Sequence, residues 1–357
     1  MFNIQEIKPE NHREMEISSN PRTMMFRKVP SSTTWRLRRA HTTPTRMIVT
    51  ILGVNSLLGQ HLIHFIQRSE KLPLKIVTWS HSSPFLPRLP GIDCSSIRHF
   101  TGFHNLREAV EQADIVCNLH EAQDLCLLPD EKQLQIHNVE FVQSLVSYIR
   151  CPLVHLSSVF VQCSSRWPNV YENEYDGTKY KSQWPFPKYC SSKWEAEQII
   201  AKASVDAFIM RCVPAYGEGD IHSILTDLIK FTDNGDILSV GDGEGVVQMA
   251  YAGNLAAGLW SAMLKLMHDH DTLRPEGTNV FHYTSDQSVL TQKQFIKETI
   301  ILADGTPNKN VFTLFKPLLL AYACMRVGAF SLIRIVFYES IRPKPCNQVT
   351  ENYMGGG

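Results

Sequence analysis

Met47-Ile48-Val49-Thr50-Ile51-Leu52-Gly53-Val54-Asn55-Ser56-Leu57-Leu58-Gly59 decides the fold. A short apolar run that stops at a glycine reads as a strand buried on both faces, as in a parallel sheet. The residues from Leu58 through Gln67 then carry helical spacing. A strand that turns tightly into a helix leaves free amides at the helix N-terminus, and these suit the pyrophosphate of a dinucleotide. Gly53 permits the tight turn and Gly59 the close packing of the helix. The middle position, where backbone approaches phosphate, holds Ser56, a side chain in a crowded place whose hydroxyl can also donate to phosphate. The other reading is an ordinary strand-to-helix turn.

Working outward, Lys75 to Trp79 reads as a second strand, Leu106 to Gln112 as a helix and Asp114 to Leu119 as a strand. Glu131 to Ile149 is helical in spacing, Pro152 to Leu156 strand-like, Lys193 to Ala203 helical, and Ala207 to Met210 strand-like. This alternation implies an α/β fold, a Rossmann-like doubly wound parallel sheet with right-handed crossovers. Such sheets bind ligands beyond the carboxyl ends of their strands, which is where Gly53, Ser157, Ser158 and Arg211 fall. An acid ending the second strand would grip ribose hydroxyls and mark NAD. Trp79-Ser80-His81 stands there instead, so NAD and NADP both stay open, and Arg88 reaches a ribose phosphate only if the intervening loop folds back. After Tyr216-Gly217-Glu218-Gly219-Asp220 the pattern loosens, with helical segments over 221–231 and 254–267. The expected organisation is a basic leader over 1–45, a dinucleotide-binding domain over 46–215, a substrate lobe over 216–305 with some strands returning to the main sheet, and an apolar tail over 306–357.

Tyr189-Cys190-Ser191-Ser192-Lys193 supplies the chemistry, with Ser157-Ser158 upstream of it. Residues four apart share a helix face, so the Lys193 ammonium can stand beside the Tyr189 phenol and favour its phenolate. A phenol has a pKa of about 10, and a neighbouring cation brings it nearer to use as a base. Ser158 can hydrogen-bond the reacting oxygen. An exposed Tyr/Lys helix pair with no chemistry is the bland alternative, and the surrounding fold argues against it.

The chain has 357 residues, 43% of them hydrophobic, enough for a full core. Its formal net charge is zero, so no overall field gathers nucleic acid or acidic substrates. The nine cysteines are an odd, dispersed set with no Cys-x-x-Cys pair, which reads as reduced intracellular thiols. Residues 22–46 carry seven basic side chains and no acidic one, a disordered leader or a transit peptide. His268-Asp269-His270-Asp271 reads as a solvated loop rather than a metal site. Val311 to Tyr338 is apolar but broken by Lys316, Arg326 and Arg334. Its longest uncharged run is far short of the roughly 20 residues a spanning helix needs. It reads either as a buried helix or as one lying in a membrane interface.

Several stretches together resemble the 3β-hydroxysteroid dehydrogenase/Δ5-Δ4 isomerase family of the extended short-chain dehydrogenase/reductase superfamily. They are Leu57-Leu58-Gly59-Gln60, Ser157-Ser158-Val159-Phe160-Val161, and Trp184-Pro185-Phe186-Pro187-Lys188-Tyr189 through Ala196-Glu197. Arg211 with Tyr216-Gly217-Glu218-Gly219, Tyr251 to Ala256, and Phe281 to Asp286 complete the set. The resemblance implies Tyr189 as the proton-transfer residue, Lys193 as its pKa partner and a ligand of the nicotinamide ribose, and Ser158 as the group orienting the substrate hydroxyl. Ser157 is the alternative register, and Asn138 a residue that helps position the lysine. The implied cofactor is NAD, with NADP open, held by Gly53, Ser56, Gly59, Tyr189 and Lys193. The implied activity is oxidation of a 3β-hydroxysteroid or related sterol, with a Δ5-Δ4 shift whose base no residue identifies. The expected partners are that small molecule, a membrane surface of the endoplasmic reticulum or mitochondrion, and a second copy in a homodimer. Ser56, Trp79, Phe141 and Phe100-Thr101-Gly102 depart from the family on the cofactor side. A reductase or epimerase acting on another alcohol or a nucleotide sugar, and a noncatalytic lipid- or partner-binding relative, are the competing readings.

Overall fold

The computed structural model describes residues 47–69, 73–126, 128–163, 183–203, 205–221, 237–240, 246–268, 279–283, 290–291, 294 and 311–314. The leader, the helix expected over 221–231 past its first residue, the loop 269–271 and the apolar tail beyond 314 lie outside the described residues.

Seven strands form one sheet: β1 Met47–Leu52, β2 Leu74–Ser80, β3 Ile97–Thr101, β4 Ile115–Asn118, β5 Leu153–Ser158, β6 Ala207–Cys212 and β7 Asn279–Tyr283. Their order is β7-β6-β5-β4-β1-β2-β3, and every neighbouring pair is parallel. The chain builds outward from β1 through β2 and β3, then returns to the other side of β1 with β4. That reversal opens the crevice in which doubly wound sheets take ligands. Leu52 ends β1 opposite Trp79 on one side and Asn118 on the other, so these three residues form the floor of the crevice.

Alternation along the buried strands feeds two cores. Val49 and Ile51 pack with α1 (Leu57–Ser69) and α6 (Ala252–His268) on one face. Leu52, Val77, Val116, Leu153 and Ile209 pack on the other face with α2 (Leu106–Glu111), α4 (Phe141–Tyr148) and α5 (Pro187–Lys202). Each fully buried aliphatic side chain contributes about 1.5–3 kcal/mol, and this burial pins the register that places the strand ends.

The expected strands and helices that fall on described residues are present, with shifted ends. The helix expected from Lys193 starts six residues earlier, at Pro187 in the first turn, where a missing amide costs nothing. The segment read as one helix over 131–149 is α3 (Glu131–Leu134), a π-helical turn over Gln135–Glu140, and α4. Strand β3 was not foreseen, because Ile97-Arg98-His99-Phe100-Thr101 is a half-exposed edge strand without a continuous apolar run. Among the described residues, no helix is long and apolar enough to cross a membrane, and the described cysteines are all free.

Gly53 does the work expected of it. Its φ is 78°, and a Cβ there would lie 2.6 Å from the backbone nitrogen of His120. The glycine is therefore what lets the end of β1 approach the chain leaving β4. Gly59 fills the second role, since a Cβ there would lie 2.6 Å from Val54 O and force helix α1 off the turn.

Candidate functional site

Helix α5 carries Tyr189 and Lys193 one turn apart, and both side chains point inward: Lys193 is 1% and Tyr189 2% exposed. A buried ammonium needs partners, and Lys193 Nζ donates to Leu156 O of β5 at 2.8 Å. Its second partner is the carboxylate of Glu121, with Nζ 2.9 Å from Oε2. The same Oε2 accepts the Tyr189 hydroxyl at 3.0 Å. Tyr189 and Lys193 therefore meet on a carboxylate that the sequence reading did not include.

Glu121 reverses the expected electrostatics. The phenol was expected to be made more acidic by Lys193. Burial first, then the Glu121 charge and the hydrogen bond to it, push the Tyr189 pKa well above its ordinary value. In this arrangement Tyr189 is a proton donor to Glu121.

Backbone anchors fix Glu121 in place. Asn118 Oδ1 accepts from His120 N at 3.1 Å. Asn138 Oδ1 accepts from Ala122 N at 2.7 Å, while Asn138 Nδ2 donates to Ala122 O at 3.0 Å and to Ser192 Oγ at 2.9 Å. Asn138, expected to help position the lysine, sits in the π-helical turn and ties the Glu121 segment to α5. Such turns recur at functional sites.

The two serines offered for one role have different partners. Ser157 Oγ donates to Glu197 Oε1 at 2.6 Å, on a buried ion pair with Arg211. It is engaged structurally, and Arg211, expected at the ligand end of its strand, is engaged there with it. Ser158 ends β5, and its Oγ accepts from Phe160 N at 3.3 Å. Trp184 Nε1 donates to Val161 O at 2.8 Å, holding the entry of α5 against the turn that follows Ser158.

On the cofactor side, Ser56 caps helix α1: its Oγ accepts from Gly59 N at 3.1 Å, and so it occupies one of the amides offered to phosphate. The loop after β2 does fold back. Arg88 Nη2 donates to Asn55 O at 2.8 Å, its amide donates to Gln60 Oε1 at 2.9 Å, and Asn55 Nδ2 donates to Pro84 O at 2.9 Å. A guanidinium thus rests on the glycine turn. At the ends of β2 and β3, Trp79 Nε1 donates to Gly102 O at 2.9 Å. Around it lie Phe103, His120 and Phe141, with ring centroids 5.1–5.9 Å from Trp79. His81 and His137 complete the group, their rings 4.6 Å apart.

His137 Nε2 lies 2.9 Å from Gln133 Oε1, which can only accept, so that nitrogen carries the proton and His137 Nδ1 accepts from His120 Nε2 at 3.0 Å. Burial, with His81 nearby, lowers the His137 pKa to about 4. His120 and His155 are also held well below the usual imidazole value, both by burial first, then His120 by the nearby His137, His81 and Lys193 and His155 by Lys193. An imidazole with a depressed folded pKa contributes stability that is present above its unfolded pKa and lost as pH falls through the folded one. Unfolding free energy should therefore decline as pH is lowered from about 6.5 toward 4. Urea midpoints at pH 7.5 and 5 should show it, and His137→Gln should flatten part of the slope. A midpoint unchanged over that range would mean the three imidazoles are not buried as neutral groups. Among the described residues, no group of three or more His, Cys, Asp and Glu side chains could hold a metal.

The model of the NAD dependent epimerase/dehydratase family matches residues 49–272, more than half of the chain. No curated protein matches it. Solved structures share the fold at low identity. DesIV from Streptomyces venezuelae, a dTDP-glucose 4,6-dehydratase seen as a double mutant with NAD and DAU bound, has a TM-score of 0.60 and 15% identity over 75% of this chain and 84% of that one. The UDP-glucuronic acid 4-epimerase of Bacillus cereus in complex with NAD gives 0.57 and 16%, over 75% and 87%. The dTDP-glucose 4,6-dehydratase of Bacillus anthracis in complex with NAD gives 0.56 and 17%, over 75% and 84%.

The residues present fit a dinucleotide at two places and conflict with it at one. The Gly53 turn, with the Arg88 guanidinium resting on it, suits a pyrophosphate, and Lys193 is a buried cation able to take a hydroxyl. Glu121 and Leu156 O already take two of the three Lys193 donors, so a ribose hydroxyl would compete with the carboxylate for this lysine.

Proposed function

The chain belongs to the NAD dependent epimerase/dehydratase family, within the extended short-chain dehydrogenase/reductase superfamily, and from that premise we propose that it is an NAD-linked oxidoreductase acting at a CH–OH carbon. The observation that carries this reading is the convergence of Tyr189 and Lys193, both buried, on one point beside the carboxyl end of β5. Gly53, Ser56 and Gly59 would hold the pyrophosphate and Lys193 the nicotinamide ribose. NAD, when bound, supplies the two-electron acceptor or donor.

The chain's own residues handle the proton. Tyr189 exchanges it with the substrate hydroxyl, and Lys193 stabilises the phenolate once Glu121 no longer accepts from the phenol. Ser158 orients the reacting oxygen. Positioning of this kind supplies much of the rate in such reactions.

For the substrate we infer a 3β-hydroxysteroid or related sterol, supported by the resemblance that runs from Trp184 to Glu197. A nucleotide sugar, with epimerase or dehydratase chemistry, is the second reading, favoured by the fold shared with enzymes named for such substrates. Titration of the purified protein with NADH, followed by fluorescence, should show saturable binding. Lys193→Ala should weaken it by about tenfold or more, the worth of one charged hydrogen bond. Equal binding by the variant would remove Lys193 from the site. Turnover of a 3β-hydroxysteroid against a UDP-hexose, each with NAD, separates the two substrate classes.

A further inference from the structure

Glu121 is used by nothing in the reaction as drawn, yet it holds both of the residues that the reaction needs. The Tyr189 phenol has one proton to donate, and it is given to Glu121 Oε2 at 3.0 Å. Lys193 has three donors in a site 1% exposed, and Leu156 O and Glu121 take two of them. With the carboxylate in place the phenol is held in its protonated form, its proton engaged, and two of the three Lys193 donors are taken.

The backbone on either side of Glu121 is fixed. Asn118 holds the amide of His120, and Asn138 holds both the amide and the carbonyl of Ala122. Movement is therefore left to the Glu121 side chain, which is 22% exposed where that of Lys193 is 2%. It has a path to water that the lysine lacks. Rotation about its own bonds would release Lys193 and remove from Tyr189 both the carboxylate's charge and its hydrogen bond, the two influences besides burial that most strongly keep the phenol protonated.

We propose that Glu121 is a side-chain latch that occupies the Tyr189–Lys193 pair until a dinucleotide displaces it, and that it thereby sets the cofactor affinity of this chain. The inference rests on the oxidoreductase reading. A ligand that binds only the unlatched form has its apparent affinity reduced by the fraction of molecules in that form. Removing the latch restores the intrinsic affinity. Glu121→Gln keeps the shape and removes the charge; Glu121→Ala removes both.

The test is an NADH fluorescence titration of the full-length wild type, Glu121→Gln, Glu121→Ala and Lys193→Ala. It is paired with pH titration of the Tyr189 resonance in protein labelled at tyrosine Cζ, assigned with Tyr189→Phe and recorded without cofactor. Both Glu121 variants should bind NADH about tenfold more tightly than wild type, Lys193→Ala should bind less tightly, and the Tyr189 resonance should titrate at lower pH in Glu121→Gln. Binding by the Glu121 variants equal to or weaker than wild type overturns the latch and leaves the oxidoreductase reading intact. An unmoved Tyr189 titration also overturns the latch, since the carboxylate would then not hold the phenol. If no form binds NADH, both the latch and the oxidoreductase reading fall. Should Glu121→Ala fail to fold, Glu121→Gln answers alone.

Discussion

Glu197→Ala is expected to lose about 3–5 kcal/mol of folding stability, the cost of leaving one member of a buried ion pair without its partner. The side chains of Arg211 and Glu197 are 4% and 2% exposed, so water cannot replace the lost carboxylate. The contact is two-pronged: Arg211 Nε donates to Glu197 Oε1 at 2.9 Å and Nη2 to Oε2 at 2.6 Å. Ser157 Oγ also donates to Oε1, and Arg211 Nη1 donates to Gln162 Oε1 at 2.8 Å. Removing Glu197 thus strands a guanidinium and a hydroxyl together, between β5, β6 and α5. Glu197→Gln should cost less, because one acceptor and the side-chain volume remain. Urea denaturation of both variants measures the difference. A loss below about 1 kcal/mol for the alanine variant, the size expected of a surface pair, would mean that Arg211 finds another partner and that the pair does not hold α5 to the sheet.

Tyr189→Phe is expected to lower kcat by about 10²–10⁴, the usual contribution of a positioned acid or base, while NADH binding persists. The ring stays buried among Leu134, Trp184 and Cys190, and Lys193 keeps both Glu121 and Leu156. The stability change should be small, about 1–3 kcal/mol for one hydrogen bond to a charged acceptor. Turnover by the phenylalanine variant within threefold of wild type would falsify the assignment of Tyr189 as the proton-transfer residue. Measuring melting and NADH binding on the same preparation separates lost chemistry from lost fold.

Much of the scaffold can be read from local pattern. Met47 to Leu52 is apolar because β1 is covered on both faces, and its glycine ending is enforced by the approach of His120. Tyr189 and Lys193 are legible because four residues is one helical turn. Their surroundings are not. Glu121 is 68 residues from Tyr189 in sequence, in an irregular stretch after β4 where no periodicity marks a side chain's direction. The signal available was its position: a charged residue three past the end of a central strand lies where this fold presents groups to ligand. The ring group was equally hidden, since His81, His120 and His137 come from three separate elements. That Ser157 faces the Glu197–Arg211 pair needed the sheet register, because neighbouring residues on a strand face opposite ways. The expectation of an easily ionised tyrosine failed for the same reason as the rest: it counted the neighbour on its own helix and not the one across the crevice.

The π-helical turn at Gln135–Glu140 closes with the amide of Phe141 on Ile136 O, five residues back instead of four. It therefore spends one residue more than a regular helix would between the same two ends. Laid beside a relative whose helix is regular here, this chain would carry that surplus as a single-residue insertion. Where the insertion coincides with an asparagine in place of Asn138 and an acid in place of Glu121, it becomes a written mark, readable without coordinates, of chains that share this anchored carboxylate.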